Sequence, residues 1–88
     1  MALNDAVKFI SKIKTSKDLR TSLYRCDGPQ DMENLIRSLG YKFTYNESED
    51  AYRTILLKAA NHEDAYEINE VFNMYRMLLG MTPLEFNA

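Results

Sequence analysis

The sequence predicts an all-α protein, built as a single small bundle of four or five helices. Apolar residues recur at the three- and four-residue spacing of amphipathic helices through most of the 88 residues. Residues that cap or stop helices fall between these runs, and no segment shows the alternation of a β-strand. A chain of this length forms one domain, so we assign residues 1–88 to a single helical domain.

The first two helices are predicted from apolar stripes near the N-terminus. Asn4 or a neighbouring residue is the expected cap of the first helix, and Thr15 with Asp18 forms a capping signal for the second. We therefore expect a boundary near residues 15–16. The apolar stripes comprise Leu3, Ala6, Val7, Ile10 and Ile13 in the first helix, and Leu19, Leu23 and Cys26 in the second.

The third helix is bounded by glycine and proline. The break Asp27-Gly28-Pro29 precedes it, and Pro29 suits the first turn of a helix. Gly40 follows its last apolar residue and can adopt the left-handed conformation of a helix C-cap. Boundaries are therefore expected near residues 27–29 and 40–44. The apolar face consists of Met32, Leu35, Ile36 and Leu39.

The link that follows Gly40 is the stretch around which the chain is organised. Tyr41 and Phe43 have the alternation of an extended segment, so their rings are expected on one side of it. Thr44 and Glu47 form the Thr-x-x-Glu pattern of a capping box. If the ring of Phe43 is fully buried, its truncation to alanine should cost roughly 3–5 kcal/mol.

The C-terminal half predicts two further helices. The fourth carries Tyr52, Ile55, Leu56 and Ala59 on one stripe. We expect a break near residues 61–62, because Asn61 with Asp64 resembles another cap. One continuous helix over residues 46–79 is the alternative, since no glycine or proline interrupts this range.

The fifth helix has a wider apolar face than one small bundle needs. A core stripe alone is sufficient to dock it, and the adjacent stripe predicts a surface for another protein chain or a second copy. The core stripe consists of Ala65, Ile68, Phe72, Tyr75 and Leu79. The adjacent stripe, predicted to bind a partner, consists of Val71, Met74, Leu78 and Met81.

No combination of residues predicts catalysis. The sequence lacks a Ser-His-Asp order, a glycine-rich phosphate loop and paired inward carboxylates. Cys26, the single cysteine, is interpreted as a small buried side chain, and His62, the single histidine, as a solvated helix start. We therefore expect no enzymatic activity, no cofactor and no metal.

Charge and hydropathy favour a protein partner. The formal net charge is −2, which argues against nucleic acid, and no apolar run approaches the roughly 20 residues of a membrane span. One cysteine excludes an internal disulfide and fits a reducing cytoplasm. The N-terminal third is basic, and we interpret it as a solvated face. Its basic residues are Lys8, Lys12, Lys14, Lys17, Arg20 and Arg25.

Four segments in order carry a family resemblance: Asp5–Ile10, Asp18–Leu23, Pro29 and Gly40–Thr44. Over about residues 2–47 the chain resembles the bacterial nitrogen-fixation-associated small-protein family. The domain of that family also forms leader regions of ribosomally synthesised modified peptides. The resemblance implies a non-enzymatic role, since its leader members are bound by modifying enzymes and a processing protease. A separate C-terminal helical portion, about residues 46–80, follows.

The C-terminus departs from the leader pattern. Leaders of this family typically end at a double-glycine-like site before a core peptide rich in Cys, Ser or Thr. Here Gly80 stands alone, and residues 81–88 contain one threonine and no cysteine. We interpret the chain as a stand-alone member or leader-derived domain, with a truncated precursor as the other interpretation.

Two functions follow from these observations. The first is a protein-recognition module bound by partner proteins. The alternative is a small helix-turn-helix-like DNA-binding regulator, in which residues 31–39 pack near the second helix.

Overall fold

The computed structural model describes residues 2–81 and contains five helices, with no strand in that range. The prediction of an all-α fold is confirmed. Met1 and residues 82–88 lie outside the described residues. The helices are α1 (Ala2–Thr15), α2 (Lys17–Tyr24), α3 (Pro29–Ser38), α4 (Tyr45–Leu57) and α5 (His62–Leu78).

The first two helix starts differ from the predicted caps. Helix α1 begins at Ala2, so Asn4 lies inside its first turn. Ser16, and not Thr15, caps α2, because its hydroxyl oxygen accepts from the Leu19 N–H at 3.2 Å. Ser16 has the extended backbone that an N-cap requires, whereas Thr15 is still helical.

Gly40 ends α3 as predicted. Its φ of +92° is left-handed, and its N–H donates to the Arg37 carbonyl at 3.0 Å. The Tyr41 N–H donates to the Ile36 carbonyl at 3.2 Å. These two bonds form a Schellman motif, which satisfies carbonyls at the end of α3.

The link between α3 and α4 has the predicted geometry. The Thr44 hydroxyl oxygen accepts from the Glu47 N–H, and the Glu47 carboxylate accepts from the Thr44 N–H, so the capping box is complete. Tyr41 and Phe43 both place their rings against Phe9, at centroid distances of 5.7 and 5.3 Å. Phe43 is only half-buried, so its truncation should cost less than the value expected for full burial.

Helices α4 and α5 are separate, so the alternative of one continuous helix is wrong. Residues 58–61 interrupt the helical path. The Asn61 side-chain oxygen accepts from the Asp64 N–H at 2.8 Å and caps α5. The polar segment therefore ends one helix and starts the next, as its capping pattern predicts.

The core draws on all five helices and centres on α1. Helix α1 packs most extensively against α4, and it also contacts α5 and α2. Helix α3 makes only sparse contacts with the other helices, to which Met32 and Ile36 anchor it. The fully buried side chains with the largest volumes are Phe9, Phe72, Ile10, Ile13, Leu23, Met32 and Ile68.

Candidate interaction surface

The buried side of α5 fixes which residues of this helix face outwards. Ile68, Phe72 and Tyr75 are buried, and the ring of Phe72 stacks on Tyr52 of α4 with a centroid distance of 4.5 Å. Residues on the opposite side of the helix are exposed or half-buried. The predicted core stripe is therefore the side that docks α5 on its own domain.

The predicted partner-binding residues occupy the flank and the outer side of α5. Val71, Met74 and Leu78 are half-buried and pack partly against the core. Met81 follows α5 and is 36 % exposed. We call these four residues the α5 stripe. It combines apolar contact with the domain and apolar surface open to solvent.

Met77 extends this apolar surface, and the sequence prediction missed it. Its side chain is 59 % exposed. It lies three residues after Met74 in the same helix, so the two share a side. The helical spacing alone could have identified Met77, but it lies at the outer edge of the α5 stripe, away from the core stripe, and neither predicted stripe included it.

A glycine turn positions the end of the α5 stripe. Gly80 has a φ of +83°, and its N–H donates to the Met77 carbonyl at 2.9 Å. The Met81 N–H donates to the Arg76 carbonyl at 2.9 Å. Gly80 therefore caps α5 as predicted, and the turn holds the Met81 backbone against the last turn of the helix.

Buried polar contacts between α5 and α4 were not predicted. Asn69 donates to the Tyr52 hydroxyl at 2.9 Å, and Arg76 donates to the Tyr45 hydroxyl. The Arg76 guanidinium also lies 5.7 Å from the centroid of the Tyr45 ring. Burial raises the pKa of Tyr45 and of Tyr75 above the ordinary tyrosine value of 10.0. These contacts fix the orientation of α5 on α4.

Two of the six basic residues in the N-terminal third have structural roles. Lys14 forms a salt bridge with Asp64, which joins the end of α1 to the start of α5. Arg20 donates to the carbonyls of Ile13 and Lys14 at 2.6 and 3.0 Å and so closes the end of α1. The other four, Lys8, Lys12, Lys17 and Arg25, are exposed.

These positions do not favour the helix-turn-helix alternative. Only sparse contacts attach α3 to the other helices. Two of the six basic side chains of the N-terminal third, Lys14 and Arg20, are held in structural bonds, which leaves fewer of them to contact phosphates. No observation on the described residues therefore supports DNA binding.

The single cysteine, Cys26, follows α2, and the single histidine, His62, begins α5. Cys26 is half-buried with its thiol 3.5 Å from the Ser22 carbonyl, and burial raises its pKa. His62 is exposed at the first position of α5. Between residues 2 and 81 no group of three or more side chains could hold a metal ion. None of the helices described there is long and apolar enough to cross a membrane.

The sparse attachment of α3 leaves a groove on each side of it. One groove, of about 440 Å³, lies between Ile36, Phe43 and the start of α4. The other, of about 310 Å³, lies between α1, α2 and α3, and we call it the α2–α3 groove. Leu39 lines the α2–α3 groove and is 49 % exposed.

The five helices described over residues 2–81 place the protein in the class of small all-α domains. Within this class the chain belongs to the Nif11 domain family, whose model matches residues 1–47. The match confirms the predicted resemblance over residues 2–47, and it covers α1 to α3, the link and the first turn of α4. Comparison with curated proteins and with solved structures finds no match.

Proposed function

We propose that this protein is a non-enzymatic recognition module that contacts another protein through the α5 stripe. The supporting observation is the apolar surface that remains after α5 has docked on its own domain. Met77 and Met81 are 59 % and 36 % exposed, beside the half-buried Met74 and Leu78. Methionine side chains adapt to the shape of a partner, and apolar surface of this kind often marks an interface.

Family membership points in the same direction. The resemblance to the nitrogen-fixation-associated family supports the proposal, because the leader members of that family are bound by modifying enzymes and a processing protease. No catalytic constellation was identified in the sequence, which fits a binding role. A cytoplasmic location is part of the same proposal, because a lone cysteine suits a reducing compartment.

The first test introduces charge into the α5 stripe. Met74→Glu with Leu78→Lys should abolish capture of a partner from the native host, because a contact there would have to desolvate two charged side chains in place of two apolar ones. Sedimentation velocity and pull-down measure the association, and far-UV circular dichroism measures the fold. Leu57→Glu is the matched control, because Leu57 is 89 % exposed at the end of α4.

A second variant separates loss of binding from loss of folding. Met74 and Leu78 pack partly on the core, so their double substitution tests both properties at once. Met77→Glu with Met81→Lys changes the same surface at more exposed positions. Unchanged partner capture by this folded variant and by the Met74 and Leu78 variant would contradict the proposal.

A further inference from the structure

Charge is divided unevenly along the chain. Residues 1–42 hold eight Lys or Arg residues against five Asp or Glu, whereas residues 43–88 hold three against eight. Some of the basic residues and some of the acidic residues that make up these excesses are exposed on the folded protein. Lys8 and Lys12 are exposed on α1, and Glu63, Glu67 and Glu70 are exposed on α5. One molecule therefore carries a basic surface on α1 and an acidic surface on α5, whose Glu67 and Glu70 share a groove with Lys14 and Arg20 of the same chain.

The basic surface borders the α2–α3 groove. Lys12 lines this groove, and Lys8 lies one helical turn before it on the same side of α1. Leu35, Leu39 and Tyr41 contribute apolar side chains to the lining. Asp18 is the one carboxylate among the described lining residues, and it lies in the first turn of α2, where the helix dipole offsets its charge. The groove is therefore apolar with a basic edge.

The outer side of α5 has the complementary pattern. Glu63, Glu67 and Glu70 are followed on the same helix side by Met74 and Met77, because the spacing is three or four residues throughout. The carboxylates occupy the first half of this side and the apolar residues occupy the second half. From Glu67 to Met77 the helix rises about 15 Å. A single docking site can therefore contact both the acidic part and the apolar part of α5.

We propose that α5 of one copy docks in the α2–α3 groove of a second copy, with its carboxylates beside Lys8 and Lys12. The inference rests on the proposed function of the α5 stripe and names its partner as this same chain. The α2–α3 groove and the outer side of α5 are different surfaces, so the contact is head-to-tail. Opposite charges hold its register and make the association sensitive to salt.

The test exchanges the charges on each surface separately. One variant carries Lys8→Glu and Lys12→Glu, and the other carries Glu67→Lys and Glu70→Lys. Each variant alone should self-associate at least about tenfold more weakly than the unchanged protein, because like charges then face each other. An equimolar mixture should regain association, since the unchanged α5 of the first variant meets the unchanged groove of the second, and the acidic groove of the first meets the basic α5 of the second. Sedimentation velocity measures all three samples.

Controls isolate the electrostatic contact from general effects of charge. Asp50→Lys with Lys58→Glu exchanges exposed charges on and just after α4 and should leave association unchanged. Association of the unchanged protein should weaken between about 50 mM and about 500 mM salt. Circular dichroism confirms that each variant retains its helices before association is compared.

Three results would overturn the inference. The first is that the unchanged protein is monomeric up to about 1 mM. The second is that its association does not respond to salt. The third is that the mixture associates no better than either variant alone. A monomer whose capture of a host protein still depends on Met74 and Leu78 would refute the second copy as partner and leave the proposed function standing.

Discussion

At the scale of single residues, polar side chains determine how α5 sits on α4. Asn69 and Arg76 lie on the buried side of α5, at 4 % and 8 % exposure, and each donates to a tyrosine hydroxyl of α4. A buried donor is costly without its acceptor, so these pairs disfavour a rotated or shifted helix. Sequence pattern could not reveal them, because a polar residue is stable inside only when the fold supplies its partner.

Removal of one hydroxyl tests one of these pairs. Tyr52→Phe deletes the oxygen that accepts from Asn69 and leaves a buried amide donor without it. The free energy of unfolding should fall by about 1–2 kcal/mol in urea denaturation. Tyr24→Phe is the matched control, because Tyr24 is 63 % exposed, and it should change stability by less than about 0.5 kcal/mol. Similar losses of stability in both variants would show that the buried hydrogen bond between Asn69 and Tyr52 contributes no more than an exposed tyrosine hydroxyl does.

At the scale of helices, short side chains define the starts of α2, α4 and α5. Ser16, Thr44 and Asn61 each accept a hydrogen bond from the N–H three residues later. Thr44 and Asn61 could be predicted because a cap depends on neighbouring residues alone. The choice of Thr15 over Ser16 failed for a related reason. Both side chains can cap a helix, and the backbone conformation between α1 and α2 decides which of them does.

Alanine substitution distinguishes the true caps from the mistaken one. Thr44→Ala and Ser16→Ala should each lower the free energy of unfolding by about 1 kcal/mol, because a helix N–H loses its acceptor. Thr15→Ala should change it by less than about 0.5 kcal/mol, since the Thr15 hydroxyl is exposed and donates back to the Ser11 carbonyl. Chemical denaturation compares the three variants. A larger loss of stability in Thr15→Ala than in Ser16→Ala would show that Thr15, and not Ser16, caps α2.

At the scale of the whole molecule, both halves of the chain contribute to one core. Helix α1 belongs to the family-matched region, yet its most extensive contacts are with α4. Amphipathic stripes predicted that each helix has a buried side, but a stripe does not say which helix covers it. The same holds for the α5 stripe, because its spacing in the sequence does not identify what covers it. Its residues were predicted to face a partner, and the structure places Val71, Met74 and Leu78 half-buried against their own core.

The salt bridge between Lys14 and Asp64 ties the two halves together and gives stability a defined pH dependence. The Lys14 ammonium, with help from the Ala60 N–H, holds the pKa of Asp64 below its ordinary value of 3.8. The folded state therefore binds this proton less readily than the unfolded state. The contribution of the pair is present above pH 3.8 and is lost as the pH falls through the lower folded value.

Asp64→Asn should accordingly lower the melting temperature near neutral pH and lower it much less near pH 2. Lys14→Met should produce the same pattern, because it removes the other partner of the pair. Thermal denaturation followed by circular dichroism at several pH values gives the comparison. A difference from the unchanged protein that is constant with pH would mean that the carboxylate charge does not matter.

The close packing of α1 on α4 limits how chains of this type can diversify. Ala6 on α1 and Ser48 and Ala51 on α4 are small and fully buried, which lets the two helices approach. Ser48 and Ala51 lie just beyond the family-matched residues. A recombination event that joined residues 1–47 to an unrelated segment would place new side chains at these two positions. Bulky residues there would push the helices apart, so viable fusions must begin with a helix that carries small residues at this spacing.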